Sequence, residues 1–431
     1  MDLLLKTFKI KKEDIRTEIL AGLTTFFTMS YIIILIPALL SQAGMPSQAV
    51  FTAVLLIVGF VNIAMGLSSN LPFALAPFMG DNIFIAYTLV PVLGYNWREI
   101  SAVIFIVGII LIFMTIFKFR LRFMDTMPES IKIAFTSSLG LCLIMSGLKN
   151  SQILDFKDNI LSVTFLNFAD YHVWLGVIGA GLIILLDKLK VRMSIILGLI
   201  ILTIFGIVIK DVALPHNIFS LPPSMMPILF KCDFSHIFSQ KMISLFFLLF
   251  LLINTELHGS IVSVMMKYKC KDFIELKKSL QRSFYVDSSA TTVASAIGIP
   301  TTGVYADSIT GIMAGGKSGL TSVVVGAMFL SALFISPVFS VFPSYAYAAA
   351  LLYVGVLLIS TIKEMQYQDI AEYLSFWLTL AVVFYTLNIG VGMAFAFIIY
   401  PLIKLVCGRI KEVPKELLLF TLLSIIFFFI R

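Results

Sequence analysis

The chain has 431 residues, of which 59% are hydrophobic and only 13% are charged. Soluble globular domains have roughly a quarter of their residues charged, so this chain has too few charges to cover a water-facing surface. Its mean hydropathy of +1.02 agrees with that conclusion. The formal net charge of +7 does not indicate a nucleic-acid partner, because the basic residues lie between long apolar runs. The composition indicates one integral-membrane domain.

About twenty apolar residues cross the hydrocarbon core of a bilayer as a helix, and stretches of this length recur from Ile19 to Ile430. Uninterrupted spans are predicted at residues 18–39, 47–67, 101–117, 129–147, 172–187, 193–209, 242–265, 319–341, 345–361, 369–387 and 389–407. Three further segments, around 71–92, 283–298 and 301–316, are interrupted, which brings the prediction to fourteen spans. A short apolar tail at 416–430 is expected to pack on the protein or to lie at the membrane interface.

Clusters of basic residues precede the first span and follow spans four, six, eight and fourteen, and one lysine follows each of spans ten and twelve. The positive-inside rule then places both termini in the cytoplasm and supports the even number of spans. We expect a multi-pass protein of the cell membrane, of the bacterial inner-membrane type. Residues 1–16 are expected to form a retained cytoplasmic tail instead of a signal peptide. Residues 409–431 are expected to form a cytoplasmic linker and a short apolar C-terminal helix.

Two of the interrupted segments have a similar composition. The stretch Asn70–Asn82 in the third span contains two prolines and a glycine, and the stretch Gly298–Ser308 in the tenth span also contains proline and glycine. Non-helical backbone at membrane depth is stable only where it is buried in protein or lines a cavity. A carboxylate follows each break, Asp81 in the third span and Asp307 in the tenth. The pair of breaks therefore indicates a functional site.

The two breaks occupy corresponding places in two seven-span halves, which is the pattern of an inverted-repeat transporter. The halves are predicted at residues 17–235 and 236–408. Because seven is odd, two successive units have opposite orientations in the membrane. The predicted fold class is an all-α polytopic membrane protein with about fourteen transmembrane segments in two inverted seven-span repeats and discontinuous spans 3 and 10.

Several motifs resemble those of the azaguanine-resistance-type purine permeases. The stretch Ala21–Tyr31 is similar to their first span, and Ala74–Asn82 and Gly298–Thr321 are similar to their third and tenth spans. Ser336-Pro337 and Tyr353–Gly355 also fit, so the resemblance covers nearly the whole chain. It implies membership of the nucleobase–cation symporter superfamily, with core and gate domains. It also implies proton-coupled uptake of adenine, guanine or hypoxanthine.

The chain departs from the family pattern at several positions. Phe78 and Asp81 stand where the family usually has glycine and leucine. In span eight, Asn254 replaces the usual aspartate, and Glu256 lies two residues further on. In span ten, Asp307 replaces the usual glutamate. The resemblance therefore implies a divergent member, and the departures bear on its substrate and its coupling chemistry.

Ionisable groups at membrane depth usually mark a substrate or ion path. Asp307 is the first candidate for substrate binding, because a carboxylate accepts two N–H bonds from one edge of a purine. Its alternative role is to stabilise a helix N-terminus. Asn254 offers a donor and an acceptor to a neutral base, and Asp81 would favour a cationic substrate or a bound cation. Flat bases also stack on aromatic faces. The remaining candidates lie beside the breaks or in the polar streak of span one: Phe27, Phe78, Tyr305, Thr25 and Ser308.

Three residues are candidates for proton coupling. Asn254 and His258 lie four residues apart on one helical face, whereas Glu256 points about 200° from His258. If Asn254 faces the substrate, His258 does so as well and Glu256 faces elsewhere. His258 titrates in the useful range, with a helix–helix hydrogen bond as the alternative role, and Glu256 is a candidate for a buried paired acid. Asp287 is expected to open the ninth span beside Arg282, as a cap, an ion-pair partner or a coupling residue.

We predict a secondary transporter that imports purine nucleobases by proton symport through alternating access. A transporter of the same fold for a pyrimidine base, sulfate or a dicarboxylate is the alternative, although Asp81 and Glu256 would repel an anion. The sequence contains no recognisable enzyme motif, and the two breaks favour a closed central site over a channel. The expected partners are a purine, a coupling cation in the form of a proton, and the lipid bilayer. Homodimerisation is left open, and no cofactor or metal is expected.

Overall fold

The computed structural model describes residues 7–8, 10–117, 128–151, 153, 171–191, 194–212, 219–268, 273–305, 307–339, 341–365, 369–386 and 389–430. Within these ranges the chain is predominantly helical. Five of the described helices are long and apolar enough to cross a membrane: Lys12–Gln42, Ser47–Ser69, Trp97–Ile116, Tyr171–Lys188 and Ser344–Lys363. The chain is therefore an all-α, multi-pass membrane protein, and the exact number of fourteen spans stays a prediction.

The helices of the first half are α1 (Ile15–Met29), α2 (Ile32–Gln42), α3 (Ser47–Ser69), α4 (Met79–Phe84), α5 (Trp97–Ile116), α6 (Glu129–Asn150), α7 (Tyr171–Lys188) and α8 (Ser194–Val208). Those of the second half are α9 (Gln240–Lys267), α10 (Phe273–Ile297), α11 (Ser308–Met313), α12 (Gly319–Ala332), α13 (Ser336–Phe339), α14 (Ser344–Ile359), α15 (Ile370–Thr386), α16 (Ile389–Val406) and α17 (Lys415–Ile430). Two short strands, β1 (Leu75–Pro77) and β2 (Thr302–Val304), interrupt the helical pattern.

Short polar side chains define where several helices begin. The Asn96 side chain accepts the N–H of Arg98, and the Glu99 carboxylate accepts the N–H of Asn96, both at 3.0 Å, so α5 begins with a capping box. Ser239 and Ser318 cap α9 and α12 with their hydroxyl oxygens. Each cap satisfies an N–H group that no carbonyl of the helix can reach.

The two strands pair with each other across the two halves of the chain. They run antiparallel, with Ala76 opposite Gly303, and all of their residues are buried. Backbone inside a membrane protein has no water to bond with, and each strand supplies the other with hydrogen-bond partners. The predicted discontinuity of spans 3 and 10 is confirmed, and the two breaks form one structural unit.

Side chains of neighbouring helices bond the outer edges of both strands. Asn62 of α3 accepts the N–H of Leu75 and donates to its carbonyl, both at 2.8 Å. On the other strand, Thr291 of α10 donates to the carbonyl of Thr302 at 3.0 Å. The second predicted span of each half, α3 or α10, therefore bonds backbone groups that the strand pairing leaves without partners.

The predicted interruption at residues 283–298 is wrong, because α10 runs unbroken from Phe273 to Ile297. Its hydroxyl side chains bond back to carbonyls one turn earlier, as Ser288 does to Phe284 at 2.8 Å and Thr292 to Ser288 at 2.9 Å. Such bonds let a polar sequence remain helical within a membrane protein. Asp287 consequently lies in the middle of a helix, fully buried, and does not open a span.

The helices form two groups by their packing. In the first group, the core unit, α3 packs on α12 and α10 packs on α5, with α1 and α9 alongside. In the second, the gate unit, α14 packs on α6 and α7, and α15 packs on α6 and α16. The α3–α12 and α10–α5 pairs each join the second span of one half to the fourth span of the other. Packing therefore repeats when the two halves are exchanged, as two inverted seven-span repeats require.

The C-terminal apolar segment forms a packed helix. It lies against α16 and α9, where the ring of Phe420 stacks on that of Phe397 at a centroid distance of 5.4 Å. Thr421 also donates to the carbonyl of Phe397 at 2.7 Å. These contacts attach α17 to the rest of the protein.

Glycines allow α3 and α12 to approach closely. A Cβ atom on Gly66 would overlap the carbonyl of Gly319, and one on Gly319 would overlap the backbone of Gly66. About two helical turns away, a Cβ on Gly326 would lie 2.5 Å from the carbonyl of Gly59. Backbone atoms cannot move aside as a flexible side chain can, so this contact depends on glycine in both helices. Small residues serve the same purpose in many membrane helix pairs.

We predict that Gly66→Ala separates α3 from α12 and strongly reduces the amount of folded protein. The added methyl group meets backbone on the facing helix, and overpacking of this kind costs roughly 1–3 kcal/mol or more. The measurement is the monodisperse fraction and thermal midpoint in detergent. Gly181→Ala is the matched control, because a Cβ there meets nothing within 4 Å. Equal behaviour of the two variants would contradict the close contact.

A buried lysine joins α15, α16 and the loop that follows α16. The Lys404 side chain is 2% exposed, and its Nζ lies 3.1 Å from carboxylate oxygens of Asp369, Glu372 and Glu412. Arg409 bonds Glu412 at 2.6 Å and Asp369 at 2.9 Å. The hydrogen bonds from Arg409 and Lys404 hold the pKa of Glu412 below its usual value. The contribution of the Glu412 carboxylate to folding stability is therefore present at neutral pH, and it is lost as the pH falls through that lowered pKa.

We expect Lys404→Met to destabilise the gate unit, because it leaves three carboxylates around an apolar side chain. Breaking a buried ion pair costs roughly 3–5 kcal/mol, and the partial exposure of the partners favours the lower end of that range. Thermal unfolding in detergent at neutral pH measures the effect as a fall of several degrees in Tm. Lys363→Met, at an exposed lysine, is the control and should leave Tm unchanged. An unchanged Tm in Lys404→Met would show that the ion pairs of Lys404 do not stabilise the gate unit.

Candidate functional site

An aromatic pair lies where the two breaks meet. Phe78 lies two residues beyond Ala76, and Tyr305 lies two residues beyond Gly303, so the two rings occupy equivalent places in the two halves. The rings stack with an interplanar angle of 13° and a centroid distance of 6.2 Å. The Tyr305 hydroxyl donates to the carbonyl of Pro77 at 2.7 Å. The Phe78 ring occupies the space that a side chain on Gly303 would need.

Asp81 and Ser308 also occupy equivalent places, each five residues beyond the central strand pair. The Ser308 hydroxyl accepts the N–H of Ala74 at 2.9 Å and donates to the carbonyl of Tyr305 at 2.6 Å. The Asp81 carboxylate accepts the hydroxyl of Thr301 at 2.5 Å. Ala74 and Thr301 are the residues directly before β1 and β2. Each break is thus connected to the residue that precedes the opposite strand.

Asp307 directly precedes α11 and faces the first span. Its carboxylate accepts a hydrogen bond from the hydroxyl of Tyr31 at 3.5 Å. Tyr31 is 5% exposed and lies at the turn between α1 and α2. No described Lys or Arg side chain forms an ion pair with Asp307. The site therefore has a half-buried carboxylate and a phenol, without a fixed positive partner in the described part of the chain.

Tyr31 was missed as a candidate by the reasoning from sequence. It closes the motif Ala21–Tyr31, but nothing in its spacing distinguishes it from other aromatic residues in an apolar span. Its role depends on the turn between α1 and α2, which brings its hydroxyl to a residue far along the chain. The family motif was the one available signal.

Glu256 of α9 reaches the first break. Its carboxyl group lies beside that of Asp81 and beside the backbone of Gly80. The sequence turned Glu256 away from the substrate only if Asn254 faces it, and the structure places Glu256 at the first break. Leu257, the next residue, lies against Gly303. This part of α9 packs directly on the strands, so several of its faces are enclosed by protein.

The contact between Asp81 and Glu256 has an electrostatic consequence. Asp81 is fully buried, and no described Lys or Arg side chain pairs with either carboxyl. Two unit negative charges 4 Å apart repel by about 4 kcal/mol at an effective dielectric constant of 20. Each carboxyl also has one buried oxygen, Asp81 Oδ1 and Glu256 Oε2, with no described hydrogen-bond donor. A single proton shared by the pair removes one charge and supplies the missing donor.

The other predicted site residues lie at different positions. Thr25 is buried, donates to the carbonyl of Ala21 at 3.1 Å and packs against α11. Phe27 is 38% exposed on the outer face of α1 and is not brought to the breaks. Asn254 is fully buried in α9. The side chain of His258 lies outside the described part of the structure, so its predicted role stays a prediction.

A buried glutamate explains the motif that follows the second break. Glu18 of α1 is 2% exposed and accepts the N–H groups of Lys317 and Ser318, at 2.9 and 3.3 Å. It also accepts the hydroxyl of Thr321 at 2.5 Å. A loop with free N–H groups before a helix binds anions, and here the anion is a side chain of the protein. The glycine-rich loop therefore fastens α1 to α12.

A cavity of about 340 Å³ lies in the gate unit instead of at the breaks. It is lined by the residues of the Lys404 cluster together with Glu129, Ser130 and Tyr400. Most of these polar groups bond each other, as Tyr400 does with Glu372 at 2.7 Å. The cavity shares no residue with either strand. We therefore place the candidate site at the breaks.

These features define a class of protein: a multi-pass membrane protein whose two inverted repeats meet in broken spans, with acidic groups held at the breaks. Residues 16–427 match the model of a family described as Permease family (Xan_ur_permease). The chain belongs to this family.

Its relatives include the adenine permease AdeP of Escherichia coli, which is 34% identical over 98% of this chain and 95% of that protein. The guanine/hypoxanthine permease PbuG of Bacillus subtilis is 31% identical over 96% of this chain and 97% of that protein. Both alignments span nearly the full length of both proteins. The resemblance inferred from the motifs is therefore confirmed.

Solved structures with a similar fold are much more distant in sequence. The transmembrane domain of a cyanobacterium bicarbonate transporter, BicA, aligns with a TM-score of 0.64 at 13% identity, covering 89% of this chain and 98% of that one. SLC26A9 aligns with a TM-score of 0.65 at 15% identity, covering 91% of this chain and 66% of that one. This likeness concerns the fold, which is that of two inverted seven-span repeats.

Proposed function

We propose that this chain is a secondary active transporter that imports purine nucleobases, namely adenine, guanine or hypoxanthine, by proton symport. The observation that carries the proposal is the Asp307 carboxylate, which lies at the second break beside the Tyr31 hydroxyl. A carboxylate accepts two N–H bonds from one edge of a purine, and the adjacent phenol offers a further donor or acceptor. The names of the full-length relatives support the same substrate class.

Transport then follows from the two packing units. A base bound between the breaks and α9 is exposed alternately to each side as the core unit moves against the gate unit. The predicted repeats at 17–235 and 236–408 provide two opposite orientations of one structure. In this proposal both termini lie in the cytoplasm of a bacterial cell, and the coupling ion is a proton.

An anion substrate fits the site less well. The related folds include a bicarbonate transporter, but in this chain Asp307, Asp81 and Glu256 all lie at the breaks. Unneutralised carboxylates repel an anion, whereas a neutral base with N–H donors binds to them. A pyrimidine base offers similar donors, so it is the competitor that the substrate test must include.

The first test is uptake of labelled adenine, guanine and hypoxanthine into cells that lack their own purine permeases and express this chain. We expect at least one of the three to be taken up, with competition by the other purines and not by sulfate. Uracil serves as the pyrimidine competitor. If none of the three purines is taken up by cells with protein in the membrane, the proposal fails.

The second test removes the acidic group at the second break. Hydrogen bonds to a charged group contribute roughly 1.5–3 kcal/mol, so we expect Asp307→Asn to weaken purine affinity by about tenfold to a hundredfold. Binding of labelled purine to purified protein measures the change. Asp14→Asn, at an exposed aspartate, is the control. Wild-type affinity in Asp307→Asn would exclude Asp307 from the site.

The third test examines the tyrosine that the structure adds to the site. Tyr31→Phe removes one neutral donor, which corresponds to about 0.5–1.5 kcal/mol, so we expect affinity to fall by about two- to tenfold. Tyr385→Phe is the matched control, because Tyr385 is 87% exposed. If both variants bind purine as the wild type does, Tyr31 has no part in binding.

A further inference from the structure

We infer that the Asp81 and Glu256 carboxyls form the proton-binding site of this transporter, distinct from the base-binding site at Asp307 and Tyr31. This inference rests on the proposed function, because it assigns the coupling ion to particular atoms. It also changes the prediction for Asp81, which becomes a proton ligand instead of a contact for a cationic substrate.

The first support is the relation between the two halves. In the second half, the turn between α1 and α2 reaches the break through the Tyr31 hydroxyl, which bonds Asp307. In the first half, α9 reaches the break through the Glu256 carboxyl, which lies beside Gly80 and Asp81. Gly80 and Asp307 lie four residues beyond the central strand pair in their respective halves. The second break therefore has one acid and a phenol, whereas the first break has two acids.

The second support is the unsatisfied bonding of the pair. Asp81 is fully buried, and Thr301 donates to one of its oxygens. Its other oxygen, Oδ1, has no described donor, and Oε2 of Glu256 is in the same situation. The two carboxyls lie beside each other, so that one proton can bridge them. A shared proton fits this geometry, and two carboxyls that share one proton are a common arrangement in proteins.

The coupling step is a simple protonation. On the side from which the base enters, one proton from water forms an O–H bond with a carboxylate of the pair. After the core unit has moved, that O–H bond breaks and the proton returns to water on the other side. The charge of the pair changes by one unit in each half of the cycle, and no other reactant is needed.

The pair is mechanically connected to the base-binding site. The Asp81 carboxylate accepts a hydrogen bond from Thr301, which directly precedes β2. Tyr305 and Asp307 follow β2 along the chain. On its other side, the Glu256 carboxyl lies beside the backbone of Gly80 in α4. Loss of the shared proton leaves two adjacent negative charges, which repel α9 from α4 and disturb both connections. A change of protonation can therefore alter the packing of α9 on the strands while a base is bound.

Other ionisable groups near the pair are few. Tyr305 faces both carboxyls from the second break, and His258 lies two residues after Glu256 on the same helix. The elements α2, β2 and α11, which pack against α4 or α9, contain no ionisable side chain. The charged residues of the remaining neighbours lie in terminal turns: Arg98 and Glu99 of α5, Glu129, Lys132 and Lys149 of α6, Lys404 of α16, and Lys415 and Glu416 of α17.

The experiment uses the purified full chain in proteoliposomes that contain a pH-sensitive dye. Influx of labelled adenine, guanine or hypoxanthine and influx of protons are measured in the same vesicles for the wild type, Asp81→Asn and Glu256→Gln. We expect protons to accompany the base in the wild type. In both variants we expect the number of protons per base to fall at least tenfold. Counterflow of labelled base without an ion gradient should remain measurable, because it requires no net proton movement.

Two rival candidates provide matched controls. Asp287→Asn removes another fully buried acid, and His258→Asn removes the histidine on α9. We expect both to retain the wild-type ratio of protons to base. The inference is overturned if either control loses the ratio while Asp81→Asn and Glu256→Gln keep it. It is also overturned if a sodium gradient drives uptake and a pH gradient does not.

A binding measurement separates the remaining outcomes. Affinity for the base should depend on pH in the wild type and become at least tenfold less sensitive to pH in the two variants. If both variants elute and unfold as the wild type does but bind no base, the pair belongs to the base-binding site and the inference is wrong. If the wild type itself shows neither counterflow nor binding of any purine, the proposed function fails instead.

Discussion

The structure depends on one constraint: backbone that is not helical must find its hydrogen bonds inside the protein when it lies at membrane depth. The chain meets this requirement by pairing β1 with β2, so the two halves complete each other's broken spans. Asn62 and Thr291 bond the backbone groups that remain. The acidic groups Asp81, Glu256 and Asp307 lie close to this pairing, because the break is where a span can expose side chains and backbone to a bound molecule.

The two breaks have equivalent strand pairing but different side-chain chemistry. Phe78 and Tyr305 stack across the pairing, and Asp81 and Ser308 each bond the residue before the opposite strand. The hydroxyl of Ser308 adds no charge, whereas the carboxylate of Asp81 meets a second acid from α9. A symmetric scaffold therefore holds two unlike sites. In our proposal the site at Asp307 binds the base, and the site at Asp81 and Glu256 binds the proton.

Reasoning from sequence succeeded where a pattern reflects a local requirement. Proline and glycine within apolar stretches located both breaks, and the motifs identified the family. It failed for the segment 283–298, which was predicted to be interrupted but lies within the continuous α10, where Ser288 and Thr292 bond back to the helix. It left the orientation of Glu256 dependent on that of Asn254. A helical wheel gives relative directions around one helix, but it cannot show that neighbours enclose more than one face.

By itself, the sequence determined that the chain lies in a membrane, that spans 3 and 10 are broken, and that an acid follows each break. These properties follow from hydrophobicity and from the backbone chemistry of proline and glycine, which act over a few residues. Tertiary structure alone decided which groups meet: Tyr31 with Asp307, and Asp81 with Glu256. Those partners are separated by long stretches of chain, and their contact depends on how helices from both halves pack around the paired strands.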